Sequence, residues 1–199
     1  MKTKINYRTI SYKTKRLIIR PLELSDYEAW VDAYVNGYEK SSKWDRSPKS
    51  LKKCDHETFT KLYNRLNDLA SKDDYYRFTI FEKDTLTILG EIDFDIYVRS
   101  THQFANFGYF IFNRYWGLGY GLESSSCGLK IGFKELKLNR LEAAINLDNK
   151  KSLRLVEAIG MRKEGLKKRY WYENGHWTDH LIYVANPEDI NLKGRKPYG

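Results

Sequence analysis

Three glycines at alternate positions, Gly117, Gly119 and Gly121, lie in the run Asn113-Arg114-Tyr115-Trp116-Gly117-Leu118-Gly119-Tyr120-Gly121-Leu122-Glu123. Glycine turns the chain tightly and lets backbone N–H groups approach a ligand with no Cβ in the way. A helix beginning just after them adds unpaired N–H groups and the positive end of its dipole, so the expected guest is a phosphate or pyrophosphate. Neither of the two best-known phosphate loops has this spacing. No Lys-Ser/Thr pair follows the last glycine, and Gly-x-Gly-x-Gly is not the dinucleotide fingerprint. A second chemical group is acidic: Glu91, Asp93 and Asp95 alternate with Ile92, Phe94 and Ile96, so in a strand the three carboxylates share one face. Such a face is either solvated surface or the wall of a pocket that attracts a cationic amine and removes its proton, directly or through water. The histidines His56, His102, His176 and His180 lack metal-ligand spacing, and Cys54 and Cys127 form no CxxC pattern. We therefore expect no metal and a reduced, cytoplasmic location.

The elements that must position these groups are legible around them. Residues 104–112 are aromatic and β-branched enough for a buried strand. After the glycines, Leu122, Leu129, Phe133 and Leu136 fall on one helical face, and the helix-weakening Gly128 and Gly132 suggest close approach to a sheet. Residues 140–145 read as a further strand, and Asn149-Lys150-Lys151-Ser152 opens a helix ending at Gly160. The glycine loop thus stands at the carboxyl end of its strand, where open α/β sheets bind ligands. Upstream, residues 16–20 read as a strand, and Ser25 with Glu28 as the capping box of a helix. Residues 40–53 read as a polar loop and residues 55–70 as an amphipathic helix, with Phe59, Leu62, Tyr63, Leu66 and Leu69 as its stripe. Strands at 77–81 and 88–98 are expected to pair through Glu82-Lys83-Asp84-Thr85, and Asn174-Gly175 reads as the two-residue turn of a last hairpin.

From Phe107 to Met161 the chain resembles the core of the GCN5-related N-acetyltransferases (GNAT), whose Q/R-x-x-G-x-G/A loop binds the pyrophosphate of acetyl-CoA. The loop here is Trp116-Gly117-Leu118-Gly119-Tyr120-Gly121, with Trp116 where the family has Gln or Arg; this form is common in the RimJ/RimL-like subgroup, typified by ribosomal-protein-alanine N-acetyltransferases. Similar to that subgroup, in the same order, are Thr14-Lys15-Arg16-Leu17-Ile18-Ile19-Arg20-Pro21-Leu22 with Asp26 and Trp30, then Asn149-x-x-Ser152, Glu157 with Gly160-Met161, Glu164-Gly165, and Asn174-Gly175 with Asp179.

The resemblance implies an α/β GNAT fold, a mixed, mostly antiparallel, twisted sheet of about seven strands with four main helices, splayed where the coenzyme enters. It implies acetyl-CoA as co-substrate, held by Phe110, Ile111, Phe112, Trp116, Gly117, Leu118, Gly119, Tyr120, Gly121, Leu122, Asn149 and Ser152. It implies direct transfer to a primary amine, either a protein amino terminus, ribosomal proteins included, or a small-molecule amine. The two early helices and their linker, with Tyr34, Tyr38 and Trp44, then cover the acceptor, and Glu91 or Asp93 receives its proton or attracts its charge. Many members protonate the leaving thiolate from a tyrosine seven residues after the motif asparagine. That position is Val156 here, so the role is expected of Ser152, with water as the alternative. Asn149 and Ser152 also stand where a helix cap would.

A length of 199 residues suits one domain: a basic extension over 1–13, the transferase over 14–185 and a polar tail over 186–199. No apolar run approaches the ~18 residues of a membrane span, and no apolar h-region follows the first lysines as a secretory signal requires. The net charge is +9, with seven Lys or Arg and no acid in the first twenty residues. This keeps a ribosome- or RNA-associated protein among the rival readings, although such charge also steers a polyanionic coenzyme, and without an RNA-binding motif nucleic-acid recognition is not expected. The other rival is a non-catalytic acyl-CoA sensor, which Trp116 and Val156 suggest. The chain is expected to be a monomer or a homodimer without a membrane partner.

Overall fold

The computed structural model describes residues 5–173 and 175–194. One sheet contains β1 (Tyr12–Lys13), β2 (Leu17–Arg20), β3 (Tyr75–Glu82), β4 (Ile88–Val98), β5 (Phe104–Ile111), β6 (Arg140–Asn146), β7 (Arg162–Glu173) and β8 (His176–Ala185), in the order β1-β2-β3-β4-β5-β6-β8-β7. Every neighbouring pair is antiparallel except β5 with β6. The helices are α1 (Tyr27–Val35), α2 (His56–Lys72), α3 (Tyr120–Lys134) and α4 (Lys150–Ala158). The expected seven strands are eight because Tyr12 and Lys13 pair with Ile19 and Ile18. Two residues are too few for alternation to mark them.

Strand alternation divides the core between the two faces. Ile92, Phe94 and Phe107 pack with Leu129, Ile131 and Phe133 of α3 and Val156 of α4, whereas Phe81, Ile88 and Phe112 pack with Trp30 and Tyr34 of α1 and Phe59 and Leu66 of α2. Burying each such side chain contributes about 1.5–3 kcal/mol. α3 lies directly on the strands. A Cβ on Gly128 would come within 2.9 Å of the Phe107 ring, and one on Gly132 within 2.9 Å of Phe94 and 2.8 Å of Leu141. The glycines weaken the helix but allow this approach.

Two local expectations change. The capping box ahead of α1 is Glu23 with Asp26, closing a 3-10 turn at Leu24–Asp26, in place of Ser25 with Glu28. The folded body also runs beyond 14–185: Tyr7 and Ile10 are buried, the Tyr7 hydroxyl donates to the Arg77 carbonyl, and Arg162 grips Asp189 at 2.9 Å in the turn Pro187–Ile190. α2 is capped by Asp55, whose carboxylate accepts from the Thr58 N–H at 2.8 Å. In the last hairpin Glu173 pairs with His176, and Gly175 has φ +83°; Asn174 lies outside the described residues. Among the described residues no helix is long and apolar enough to cross a membrane.

The feature that makes a site is the seam between β5 and β6. These strands pair only through Phe104 with Arg140, Ala105 with Leu141 and Asn106 with Glu142, and then part. Toward their carboxyl ends, residues 107–111 and 143–146 face each other across a gap.

Candidate active site

At the wide end of the seam, β5 runs through a 3-10 turn at Asn113–Tyr115 into the glycine loop. Gly117 and Gly119 both have φ +80°, a conformation costly for side-chain-bearing residues, and Gly119 is the N-cap of α3. Gly121 is already helical, so it makes no turn, and a Cβ there would touch the Leu155 side chain of α4 at 3.4 Å. None of the six consecutive N–H groups from Gly117 to Leu122 donates to an acceptor among the described residues. Together with the α3 dipole they form an anion site.

The loop's own carbonyls and side chains are tied elsewhere. Arg16 donates to the Leu118 carbonyl at 2.9 Å and pairs with Glu123 at 2.7 Å, while Thr14 donates to Glu123 at 2.6 Å. The Arg16 guanidinium lies 4.4 Å from the centre of the Tyr120 ring. The Trp116 indole N–H donates to the Ile111 carbonyl at 2.7 Å, fastening the loop to the end of β5, and the Lys151 ammonium of α4 sits 3.9 Å from the centre of the Trp116 ring. Leu118 and Leu122 are exposed. Phe110 and Phe112 turn to the α1 face and Ile111 to the α3 face.

On the α1 side of the seam the three carboxylates have three environments. Asp95 is exposed. Glu91 is buried: Tyr34 donates to it at 2.6 Å, Arg46 reaches it at 3.1 Å and Arg77 stands 3.7 Å away. Burial works to raise its pKa, but Arg46, Arg77 and the Tyr34 hydroxyl outweigh it and hold the carboxyl below the ordinary glutamate value. Asp93 has no hydrogen-bond partner among the described residues. Burial pushes it up to about 6, with Arg77 working in the other direction and Glu91 adding to the rise. It lies against Gly108, its pair on β5, where a Cβ would collide with the carboxylate. Arg46 comes from the linker between α1 and α2 and stacks 3.9 Å from the centre of the Phe110 ring. That linker also reaches Asn113, whose side chain donates to Asp45 at 2.6 Å, and Asp148 beyond β6, which Lys43 meets at 2.9 Å. Tyr38 is exposed and Trp44 carries Lys43 on its ring.

On the other side, Asn149 is the N-cap of α4, its side-chain oxygen accepting from the Ser152 N–H at 3.2 Å. The Ser152 hydroxyl is therefore free of capping duty, and it meets the hydroxyl of Tyr109 from β5. Val156, at the family's usual donor position, is fully buried in the core. The sequence reading missed Tyr109, Arg46 and Arg77. Register alone would have pointed to Arg77, which pairs directly with Asp93, whereas nothing in the sequence marks Arg46. Both cysteines are buried, and burial pushes Cys127 up to about 11, out of reach of a thiolate nucleophile. Among the described residues no three His, Cys, Asp or Glu side chains gather where they could hold a metal.

Similarity to known proteins agrees with this geometry. The Probable N-acetyltransferase YjcK of Bacillus subtilis (strain 168) is 29% identical over 181 residues, covering 89% of this chain and 98% of that one. The [Ribosomal protein uS5]-alanine N-acetyltransferase of Escherichia coli (strain K12) is 24% identical over 186 residues, covering 92% and 94%. The structure of Mycobacterium smegmatis RimJ in complex with CoA-disulfide superposes with a TM-score of 0.72 at 21% identity, covering 89% of this chain and 85% of that one, a likeness of fold. Residues 16–162 match the family described as Acetyltransferase (GNAT) domain. A splayed sheet, an open amide cradle and that match over most of the length together make the chain an N-acetyltransferase that belongs to the GNAT family.

Proposed function

We propose that the protein transfers an acetyl group from acetyl-CoA directly to a primary amine, a protein amino terminus or a small-molecule amine. The observation that carries the reading is the row of six unclaimed N–H groups at the mouth of the seam. They fit a pyrophosphate, and the unpaired edges of residues 107–111 and 143–146 fit the amide groups of a pantetheine arm. The CoA held by the mycobacterial RimJ structure and the ribosomal acceptor named for the Escherichia coli relative support the two halves of the reading.

In this reading Phe110, Ile111 and Phe112 line the arm, and a β5 N–H polarises the thioester carbonyl. Trp116, Gly117, Leu118, Gly119, Tyr120, Gly121 and Leu122 present the cradle, and Asn149 fixes the start of α4. Asp93 is the base: ionised at neutral pH yet more basic than an ordinary carboxylate, it takes the amine's proton. Glu91 supplies charge and holds Arg46 and Arg77 in place, so its contribution is to the pocket and not to proton transfer. The Ser152 hydroxyl donates a hydrogen bond to the departing sulfur and so stabilises the thiolate, which takes its proton from solvent. The test is a thiol-release assay with acetyl-CoA against peptides with free amino termini, polyamines and other small amines. Release that depends on one amine class supports the reading; tight coenzyme binding with no amine-dependent release would leave a binding protein.

A further inference from the structure

We propose that Tyr109 is a positioning residue for the leaving-group step, its phenol holding the Ser152 hydroxyl so that the serine hydrogen is directed at the sulfur of the coenzyme. The inference rests on the role of Ser152 proposed above. Each of the two hydroxyls has one hydrogen and accepting lone pairs, and they are in direct contact. The phenol has a second acceptor within reach, the Ser152 carbonyl at 3.1 Å. Two arrangements result. When the phenol donates to the carbonyl, the serine hydrogen is spent on the phenol oxygen. When the phenol donates to the serine oxygen, the serine hydrogen is released for a third group. Negative charge building on a sulfur beside Ser152 favours the second arrangement, because a bond to an ion is roughly twice as strong as a neutral one and each bond in such a chain polarises the next.

The geometry also explains how a chain with Val156 in the core manages without a tyrosine on α4. Tyr109 brings a phenol to the same helix turn from the opposite wall of the seam, its ring packed 5.8 Å from that of Phe107. Burial pushes this phenol up to about 12, opposed by its bond to Ser152. That lies above the ~8.5 of a thiol, so the pair keeps both its hydrogens. As the C–S bond breaks, the electron pair stays on sulfur, the Ser152 hydrogen bond stabilises the thiolate, and the thiol takes its proton from solvent afterwards; the amine's proton goes to the base.

Tyr109→Phe retains the ring and removes only the oxygen. It is expected to lower kcat about 3- to 10-fold, the size of one net hydrogen bond, with KM for acetyl-CoA, calorimetric Kd for CoA and melting temperature unchanged. In a Ser152→Ala background the same change should lower kcat by less than about 2-fold, since its effect passes through the serine. A normal kcat in Tyr109→Phe, or losses that multiply in the double variant, would overturn the positioning role while leaving Ser152 in place. A lower melting temperature with normal kcat would make Tyr109 a structural bridge between β5 and α4 and overturn it as well. A normal kcat in Ser152→Ala would instead remove the reading on which the inference rests.

Discussion

Glu91 and Asp93 point the same way from one strand, yet their neighbours give them opposite chemistry, and the difference is measurable. An unfolded aspartate titrates near 3.8 and Asp93 near 6. A carboxyl raised on folding contributes most at pH below the unfolded value and loses its contribution as pH climbs through the folded one, so ionised Asp93 costs the fold up to about 3 kcal/mol at neutral pH. Asp93→Asn is therefore expected to raise the melting temperature at pH 7 while abolishing the rise of kcat/KM with pH around 6. A variant that keeps this acid limb would pass the base role to another group or to water. Ser152→Ala should lower kcat by roughly 10- to 100-fold, the size of a hydrogen bond to an ion, and leave stability almost unchanged, because Asn149 caps α4; Asn149→Ala is the change expected to cost about 1 kcal/mol. Measuring both parameters on each preparation separates the cap from the chemistry. The shared face of the carboxylates was legible, since alternation dictates it. Their division was not, because Arg46 arrives from a linker forty-five residues away in sequence and no local pattern encodes that contact.

The loop and α3 form a unit whose shape was readable from its glycines and whose anchoring was not. Gly119→Val should weaken CoA binding at least about tenfold, since a β-branched residue is a poor fit to the left-handed conformation that opens the cradle. Titration calorimetry on a variant with wild-type circular dichroism checks it, and unchanged affinity would remove the amides from the coenzyme site. Gly121→Val, by contrast, presses on Leu155 of α4, so its effect should include a loss of stability. The Thr14 to Arg20 segment resembles a family signature, and its physical purpose is now visible: Thr14 and Arg16 clamp Glu123 and so hold the first turn of α3. The start of α1 was misplaced for a related reason. Ser25 is a good capping residue, but Arg20 grips both oxygens of Asp26, at 2.7 and 2.8 Å, and this ion pair fixes which side chain closes the turn.

At the scale of the molecule, the sheet is two blocks joined through three residue pairs of β5 and β6, together with α3 and α4. A ligand filling the gap contacts both blocks, and CoA at a hundred times its Kd should add about 2.7 kcal/mol to unfolding, read as an upward shift in melting temperature that Gly119→Val diminishes. The class of fold and the order of its elements were readable because long periodic segments declare themselves. The packed segment from Ile5 to Ile10 was not, because it is short and no periodicity marks Ile5, Tyr7 and Ile10 as the residues that meet the core. The strand order has one more consequence, which concerns the protein in company. The sheet ends on one side in a strand of two residues and on the other in β7, whose register shifts twice and which carries Lys163, Lys167, Lys168 and Arg169. Neither rim offers the flat, neutral ladder on which sheets of different molecules join edge to edge, so the features that bound the sheet beside the cleft are also ones that disfavour open-ended pairing between copies.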